Sequence, residues 1–132
     1  MSDFETARQL LTMAGQDLHV MTILAAAEHT PEEAFGFHTQ QAVEKAFKAW
    51  LALLGREPPR IHNLRTLVLL LEECGVETTA LWDFTELTPF AVQFRYESLG
   101  GMDVGLDCVD WLKRVRDLVN RVEALRVELN NG

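Results

Sequence analysis

The sequence has few of the residues that build disulfide or metal scaffolds, and it has no long apolar run. Its two cysteines, Cys74 and Cys108, lie far apart within apolar helical patterns, which favours small buried residues over a disulfide framework or a zinc cluster. Apolar runs such as Leu67–Leu71 fall far short of the roughly 20 residues that span a bilayer. The first residues also lack the basic and apolar regions of a secretory signal. We therefore expect a soluble cytoplasmic protein with no membrane association.

Basic residues are in the minority. The chain has 12 Lys and Arg against 20 Asp and Glu, which gives a formal net charge of −8 at pH 7. Proteins that coat nucleic acid by bulk electrostatics need the opposite sign, because most of that affinity comes from neutralising phosphates. A broad nucleic-acid-coating surface is therefore excluded, while a local basic patch stays open. The 132 residues, 48% of them hydrophobic, predict one domain over residues 1–132 with its own core.

Alternation of apolar and polar residues, the pattern of half-buried strands, is almost absent from the chain. Apolar residues instead recur at three- and four-residue spacing nearly throughout, which predicts amphipathic helices. We expect an all-α, up-and-down bundle of about five helices, three of them long. The predicted segments are 4–25, 31–54, 64–74, 79–96 with a kink at Thr88-Pro89, and 103–129. The predicted loops are Gly55–Arg60 and Glu97–Asp103.

Residues typical of helix ends occur where the predicted helices begin and end. Thr30 is the predicted N-cap of the second helix, with Pro31 as its first residue, and Gly55 follows its last turn. His62 or Asn63 caps the third helix, which stops at Gly75. The last helix has an apolar stripe that we expect to face inward: Cys108, Trp111, Val115, Leu118, Val122, Leu125 and Leu129.

Metal-ligand and nucleophile motifs are missing. None of the four histidines follows an acidic residue by three positions, the spacing that di-iron bundles use. No phosphate-binding loop or nucleophile elbow occurs either. We therefore assign no catalytic residue, no metal ligand and no cofactor.

The second helix carries the most informative polar residues. His38, Gln41, Lys45 and Lys48 follow one another at 3-4-3 spacing and so share one helix face beside the apolar stripe. This row offers an imidazole, an amide and two ammonium groups, which can receive a phosphate or the polar edge of a nucleotide. The alternative is a solvated helix face on which Glu44 pairs with Lys48 at i,i+4 spacing.

Two further positions can contribute to a polar site. His62 either caps the third helix or acts as a general acid–base group near the loop arginines Arg56 and Arg60. Arg95 and Tyr96 end an apolar segment just before the glycine-containing loop. They either bind a ligand or find hydrogen-bond partners for architectural reasons. The candidate ligand-binding residues are therefore His38, Gln41, Lys45, Lys48, His62, Arg95 and Tyr96.

The segment Phe37–Leu51 resembles the second-helix signature of the HEPN (higher eukaryotes and prokaryotes nucleotide-binding) domain family. It reads Phe-His-Thr-Gln-Gln-Ala-Val-Glu-Lys-Ala-Phe-Lys-Ala-Trp-Leu. His62-Asn63-Leu64 resembles the family's His-x-Leu at the start of the next helix, and Arg95-Tyr96 resembles the pair before its last long helix. The resemblance implies a helical bundle, homodimers, and binding of nucleotides or RNA. It also implies pairing with a minimal nucleotidyltransferase as a toxin–antitoxin unit.

Many HEPN proteins are ribonucleases with an Arg-x(4–6)-His motif, and this sequence departs from that pattern. No histidine follows Arg95 in the required window, which contains Gly100, Gly101 and Met102. Arg56 and His62 have a matching separation, but two prolines lie between them in a loop. The resemblance thus favours a non-catalytic domain that binds a nucleotide or a minimal nucleotidyltransferase.

Two alternatives remain: a ribonuclease toxin with an atypical set in which His62 acts with Arg56 or Arg60, and a plain helical dimerisation module. The aromatic content also predicts an intersubunit surface. The residues counted for it are Phe35, Phe37, Phe47, Trp50, Trp82, Phe84, Phe90, Phe94 and Trp111.

Overall fold

The structure, a computed structural model, describes residues 3–91 and 106–131. Within these two ranges the chain forms helices and no β-strand. The elements are α1 (Asp3–Ala25), α2 (Glu32–Leu53), α3 (Leu64–Glu73), a 3₁₀ helix (Thr79–Leu87) and α4 (Cys108–Asn131). The predicted all-α fold, with three long helices among five, is confirmed for the part of the chain described.

Helix α2 is the central element of the bundle. It buries 14 of its 22 residues and contacts α1, α3, the 3₁₀ helix and α4. A short turn joins α1 to α2, so these two helices run antiparallel and pack along each other. On the far side of α2, the Phe47 ring meets Phe84 of the 3₁₀ helix edge to face, and Phe84 meets Trp111 of α4.

Most of the aromatic side chains are used inside this one chain. The buried ones are Phe35, Phe47, Trp50, Phe84, Phe90 and Trp111. Phe37 and Trp82 are half-buried, and Phe94 lies outside the described residues. The core of a single chain thus accommodates most of these rings, and the intersubunit surface stays a prediction.

Three helix ends follow the sequence prediction. Gly55 and Gly75, which come after α2 and α3, have φ angles of 82° and 90°, a conformation that side chains with a Cβ disfavour. Asn63 caps α3, since its Oδ1 accepts hydrogen bonds from the backbone N–H groups of Arg65 and Thr66. A cap from His62 is therefore wrong, because Asn63 already satisfies these donors.

Two other predicted ends are wrong. The Thr30 hydroxyl does not cap α2 but donates to the carbonyl of Leu24 at 2.6 Å, because the last carbonyls of α1 also need donors. Helix α4 begins at Cys108 and not near Asp103. Asp107 sets this start by accepting a hydrogen bond from the Asp110 N–H at 3.0 Å, as an N-cap does.

The inward stripe of α4 is confirmed at Trp111, Val115, Leu118 and Val122, which are all buried. Leu129 is exposed, so the stripe ends before the helix does. Cys74 and Cys108 are free thiols and only half-buried, because each lies at a helix end and not in the packed middle of a stripe. No helix in residues 3–91 or 106–131 is long and apolar enough to cross a membrane.

Candidate functional site

The polar row of α2 is embedded in the bundle. Lys45 and Lys48 have only 17% and 13% of their side chains exposed, and His38 and Gln41 are half-buried. The Glu44–Lys48 ion pair that belonged to the alternative interpretation is present, with Lys48 Nζ 3.0 Å from Glu44 Oε2. The alternative interpretation also expected this helix face to be solvated, and it is not, because α2 is covered by its neighbours on several sides.

Two members of the row, His38 and Lys45, meet on one carboxylate of α1. Asp17 Oδ1 lies 3.0 Å from His38 Nδ1, and Asp17 Oδ2 lies 2.6 Å from Lys45 Nζ. His38 and Lys45 are seven residues apart on α2, two turns of the helix, so both can reach an acceptor placed between them. Asp17 is itself buried, and the two partners satisfy both of its oxygens.

The last member of the row, Lys48, contacts Glu44, which has 6% of its side chain exposed. His62 Nδ1 lies 3.0 Å from Glu44 Oε1, and Gln40 Nε2 donates to the same oxygen at 2.9 Å. Together with Lys48, these contacts surround the carboxylate on both oxygens. A buried carboxylate needs such partners because removal from water disfavours its charge.

Gln40 connects Glu44 to the loop before α3. Its Nε2 also donates to the backbone carbonyl of His62 at 3.2 Å, and its Oε1 accepts from Gln41 Nε2 at 2.7 Å. The loop is thereby fastened to α2 through both the ring and the carbonyl of His62. Among the described residues, no buried side-chain N or O atom lacks a partner.

The seven predicted site residues thus fall into groups. His38 and Lys45 meet on Asp17, whereas Lys48 and His62 meet on Glu44, and Gln41 reaches the second group through Gln40. Arg95 and Tyr96 lie outside the described residues. Arg56 is turned toward α3, with its Nη1 donating to Glu73 Oε2 at 2.8 Å, so the expected pairing of His62 with this arginine is not seen.

Sequence reasoning missed Asp17, Gln40 and the central position of Glu44. A signal for Asp17 was present, because it lies three residues after Ala14 and four before Met21, both fully buried. An acidic side chain at such a position on the inward face requires a cationic or hydrogen-bonding partner. Gln40 carries the same kind of signal, because it lies four residues after Gly36 and three before Val43, both buried.

The histidine contacts fix which ring nitrogen faces outward. An ionised carboxylate only accepts hydrogen bonds, so Nδ1 of His62 is the N–H donor in its contact with Glu44. The Nε2 atom of the neutral ring is then an acceptor on the other edge, and 64% of the His62 side chain is exposed. Within the described residues, no group of three or more His, Cys, Asp or Glu is arranged to hold a metal ion.

A groove of about 630 Å³ lies beside the Glu44 group, between the first half of α1, the end of α2 and the loop after it. Lys48 and Arg60 supply its cationic groups, and Asp3 and Glu57 supply its carboxylates. Its apolar lining is provided by Leu10, Met13, Ala52, Pro58 and Pro59, with Thr6 and Gln9 as neutral polar residues.

The comparisons with known proteins identify the family. The family model described as the HEPN domain matches residues 7–125, which include most of α1, the whole polar row, His62 and most of α4. The comparison with curated proteins and the comparison with solved structures gave no match. Because the family model covers most of the 132 residues, the chain belongs to the HEPN domain family.

Proposed function

We propose that this protein is a non-catalytic HEPN domain that binds a nucleotide in the groove between α1, α2 and the Gly55–Arg60 loop. Membership in the HEPN family supports a role connected with nucleotides or RNA. The observation that carries the proposal is the groove itself, into which Lys48 and Arg60 bring positive charge. Its volume of about 630 Å³ falls within the roughly 300–1,000 Å³ that is usual for small-molecule sites.

The lining matches the two halves of a nucleotide. Met13, Pro58 and Pro59 offer apolar surface for a planar base. The exposed Arg60 can hold a phosphate in a bidentate manner, and Lys48, which gives one of its three N–H donors to Glu44, has others left for the same anion.

The charge balance of the groove favours a nucleotide with few phosphates. Asp3 and Glu57 line it beside the two cations, so a triphosphate or a long RNA meets repulsion that a monophosphate largely avoids. Two other members of the row, His38 and Lys45, hold α1 and α2 together through Asp17, and Gln41 contacts Gln40. We also include Arg95 and Tyr96 in the proposed polar site, and the family resemblance is the reason for including them.

Calorimetry with AMP, GMP, ATP and a short single-stranded RNA tests this proposal. We expect saturable binding of a monophosphate, weakened by Arg60→Gln and unchanged by Arg56→Gln. The two arginines are in the same loop region, but Arg56 is bound to Glu73 outside the groove. The absence of heat with every ligand, or equal binding by both variants, contradicts the proposal.

The same proposal includes protein partners. We propose a homodimer, as is common in the family, and pairing with a minimal nucleotidyltransferase in a toxin–antitoxin unit. Exposed large apolar side chains on α1 and α4 support association, and they include Met13, Ile23, Val109 and Val127. Light scattering should give twice the 15.0 kDa of one chain, and mixing with the minimal nucleotidyltransferase proposed as its partner should give a larger complex.

A ribonuclease using His62 is the second candidate. It is favoured by the contact of His62 Nδ1 with the buried Glu44, because this arrangement turns Nε2 outward as a general base. If it is correct, the purified protein cleaves RNA and His62→Gln abolishes the cleavage. Absence of cleavage by the wild-type protein removes this candidate. If neither nucleotide nor RNA is bound, the chain is a helical dimerisation module.

A further inference from the structure

Three tryptophans of the protein each have an arginine guanidinium over the indole ring. A guanidinium within about 6 Å of a ring centroid is attracted by the electron-rich face of the ring. This attraction holds the arginine side chains against the surface of the bundle. The pairs are Arg114 on Trp111 at 4.3 Å, Arg121 on Trp50 at 4.7 Å and Arg65 on Trp82 at 5.5 Å.

Two of these arginines border a small pocket between the 3₁₀ helix and α4. The pocket has a volume of about 220 Å³. Arg114 and Arg121 are two helical turns apart, so they border it on the same face of α4. The other lining residues are Ala80, Leu81, Phe84, Asp117 and Leu118. The pocket therefore combines an apolar floor with two fixed cationic groups and one carboxylate.

The guanidinium of Arg121 is available for a further partner. Among the described residues, its recorded interaction is the contact with Trp50. Arg114 lies 3.4 Å from Asp83 and 3.7 Å from Asp110, and both carboxylates are largely exposed. Exposed ion pairs of this kind contribute little free energy, so a better-placed carboxylate can replace them.

The volume of the pocket indicates the size of the group that it can bind. A volume of about 220 Å³ is below the roughly 300–1,000 Å³ of ordinary small-molecule sites. One large apolar side chain fits it. Aromatic residues and arginine are the types most enriched in the energetically important centres of protein interfaces, and Phe84 and the two arginines provide them here.

We propose that this pocket docks an acidic segment of a partner protein, which inserts one large apolar side chain between Arg114 and Arg121. The apolar side chain covers Leu81, Phe84 and Leu118, and flanking carboxylates of the segment bind the two guanidinium groups. This docking pocket is separate from the nucleotide groove, so either proposal can fail without the other.

The test uses the full-length ¹⁵N-labelled protein and the NMR signals of its three indole N–H groups. The probe is a capped pentapeptide with phenylalanine between two pairs of glutamates. Two control peptides replace the phenylalanine by alanine or the glutamates by lysines. We expect the probe to shift the Trp50 and Trp111 signals in a saturable manner. The Trp82 signal should change least, because Trp82 contacts Arg65, which does not line the pocket, whereas Trp50 and Trp111 contact the two arginines that do.

Variants locate the binding. Arg121→Gln and Arg114→Gln should each weaken the binding of the probe about tenfold, which is the typical loss for one charged hydrogen bond. Arg116→Gln, an exposed arginine of the same helix, should leave binding unchanged, and the spectrum of each variant verifies its fold. The proposal is overturned if the probe shifts neither Trp50 nor Trp111, if either control peptide binds equally well, or if AMP shifts these two signals instead.

Discussion

Lys45 Nζ lies 2.6 Å from Oδ2 of Asp17, and this ion pair crosses the main helix–helix contact of the bundle. The two residues come from the middle of α1 and the middle of α2. Both side chains are largely withdrawn from water, and His38 occupies the second oxygen of Asp17. A side chain that was expected to face a ligand therefore holds two antiparallel helices in register.

The first prediction is that removing one partner of this pair destabilises the fold strongly. Lys45→Met leaves Asp17 buried with His38 as its one remaining partner. The free energy of unfolding should fall by about 3 kcal/mol, near the lower end for breaking a buried pair. Urea unfolding followed by circular dichroism measures the change.

The double variant Lys45→Met with Asp17→Leu provides the check. It removes both charges and fills the space with apolar groups, so it should recover most of the lost stability. Arg56→Gln breaks an exposed ion pair and should change stability little. A Lys45→Met variant as stable as the wild type would show that the pair contributes nothing to the fold.

The helical bundle was predictable because apolar periodicity and turn residues determine it locally. Gly55 and Gly75 mark their helix ends through their own backbone conformations, and Asn63 caps the helix that begins next to it. The predicted cap at Thr30 was wrong because two helix ends compete for one hydroxyl group. The Thr30 hydroxyl serves the carbonyl of Leu24 in the preceding helix, and no local pattern reveals that choice.

The candidate site was predictable only in part. The 3-4-3 spacing correctly places His38, Gln41, Lys45 and Lys48 on one side of α2. It cannot show that Asp17, 28 positions before Lys45 in the sequence, faces the same side, because this depends on how α1 packs. The same holds for Glu44 and His62, which the path of the intervening loop brings together.

The second prediction concerns two glycines in helices, which should respond oppositely to alanine. A Cβ at Gly36 would overlap the ring of Phe90, whereas a Cβ at Gly15 meets nothing within 4 Å. Gly15→Ala should stabilise the protein by up to about 1 kcal/mol through helix propensity. Gly36→Ala gains the same helix propensity, but overpacking against Phe90 should still lower the free energy of unfolding by about 1–3 kcal/mol.

Thermal unfolding of the two variants measures this difference directly. Because both substitutions are glycine to alanine within α-helices, each is the control for the other. Equal shifts of the unfolding temperature would mean that Phe90 moves aside without cost, which would contradict the close packing of its ring on α2.

The third prediction concerns the reactivity of Cys108. Burial, followed by the nearby carboxylates of Glu32 and Asp107, raises the pKa of this thiol. The thiolate is the reactive form, so Cys108 should be alkylated more slowly than an unperturbed cysteine near pH 8. The difference should shrink as the pH rises, because a raised pKa is overcome only at higher pH.

A Cys74→Ala background isolates this signal, with iodoacetamide labelling followed by mass spectrometry. Glu32→Gln should accelerate the reaction because it removes one of the negative charges. Glu28→Gln, which changes an exposed carboxylate that does not contribute to this pKa, should have no effect. Equal labelling rates in all three proteins would exclude a role for Glu32.

The fourth prediction is that replacing Glu44 lowers the free energy of unfolding more than replacing His62, although the two side chains contact each other. His62 is mostly exposed, so His62→Gln should cost less than about 1 kcal/mol of stability. Glu44→Gln leaves the nearly buried ammonium of Lys48 without a carboxylate and should cost about 3 kcal/mol. Urea unfolding measures both, and Glu44→Gln combined with Lys48→Met should recover part of the loss. Equal costs for the two single substitutions would mean that the His62 ring, and not the buried carboxylate, holds the loop on α2.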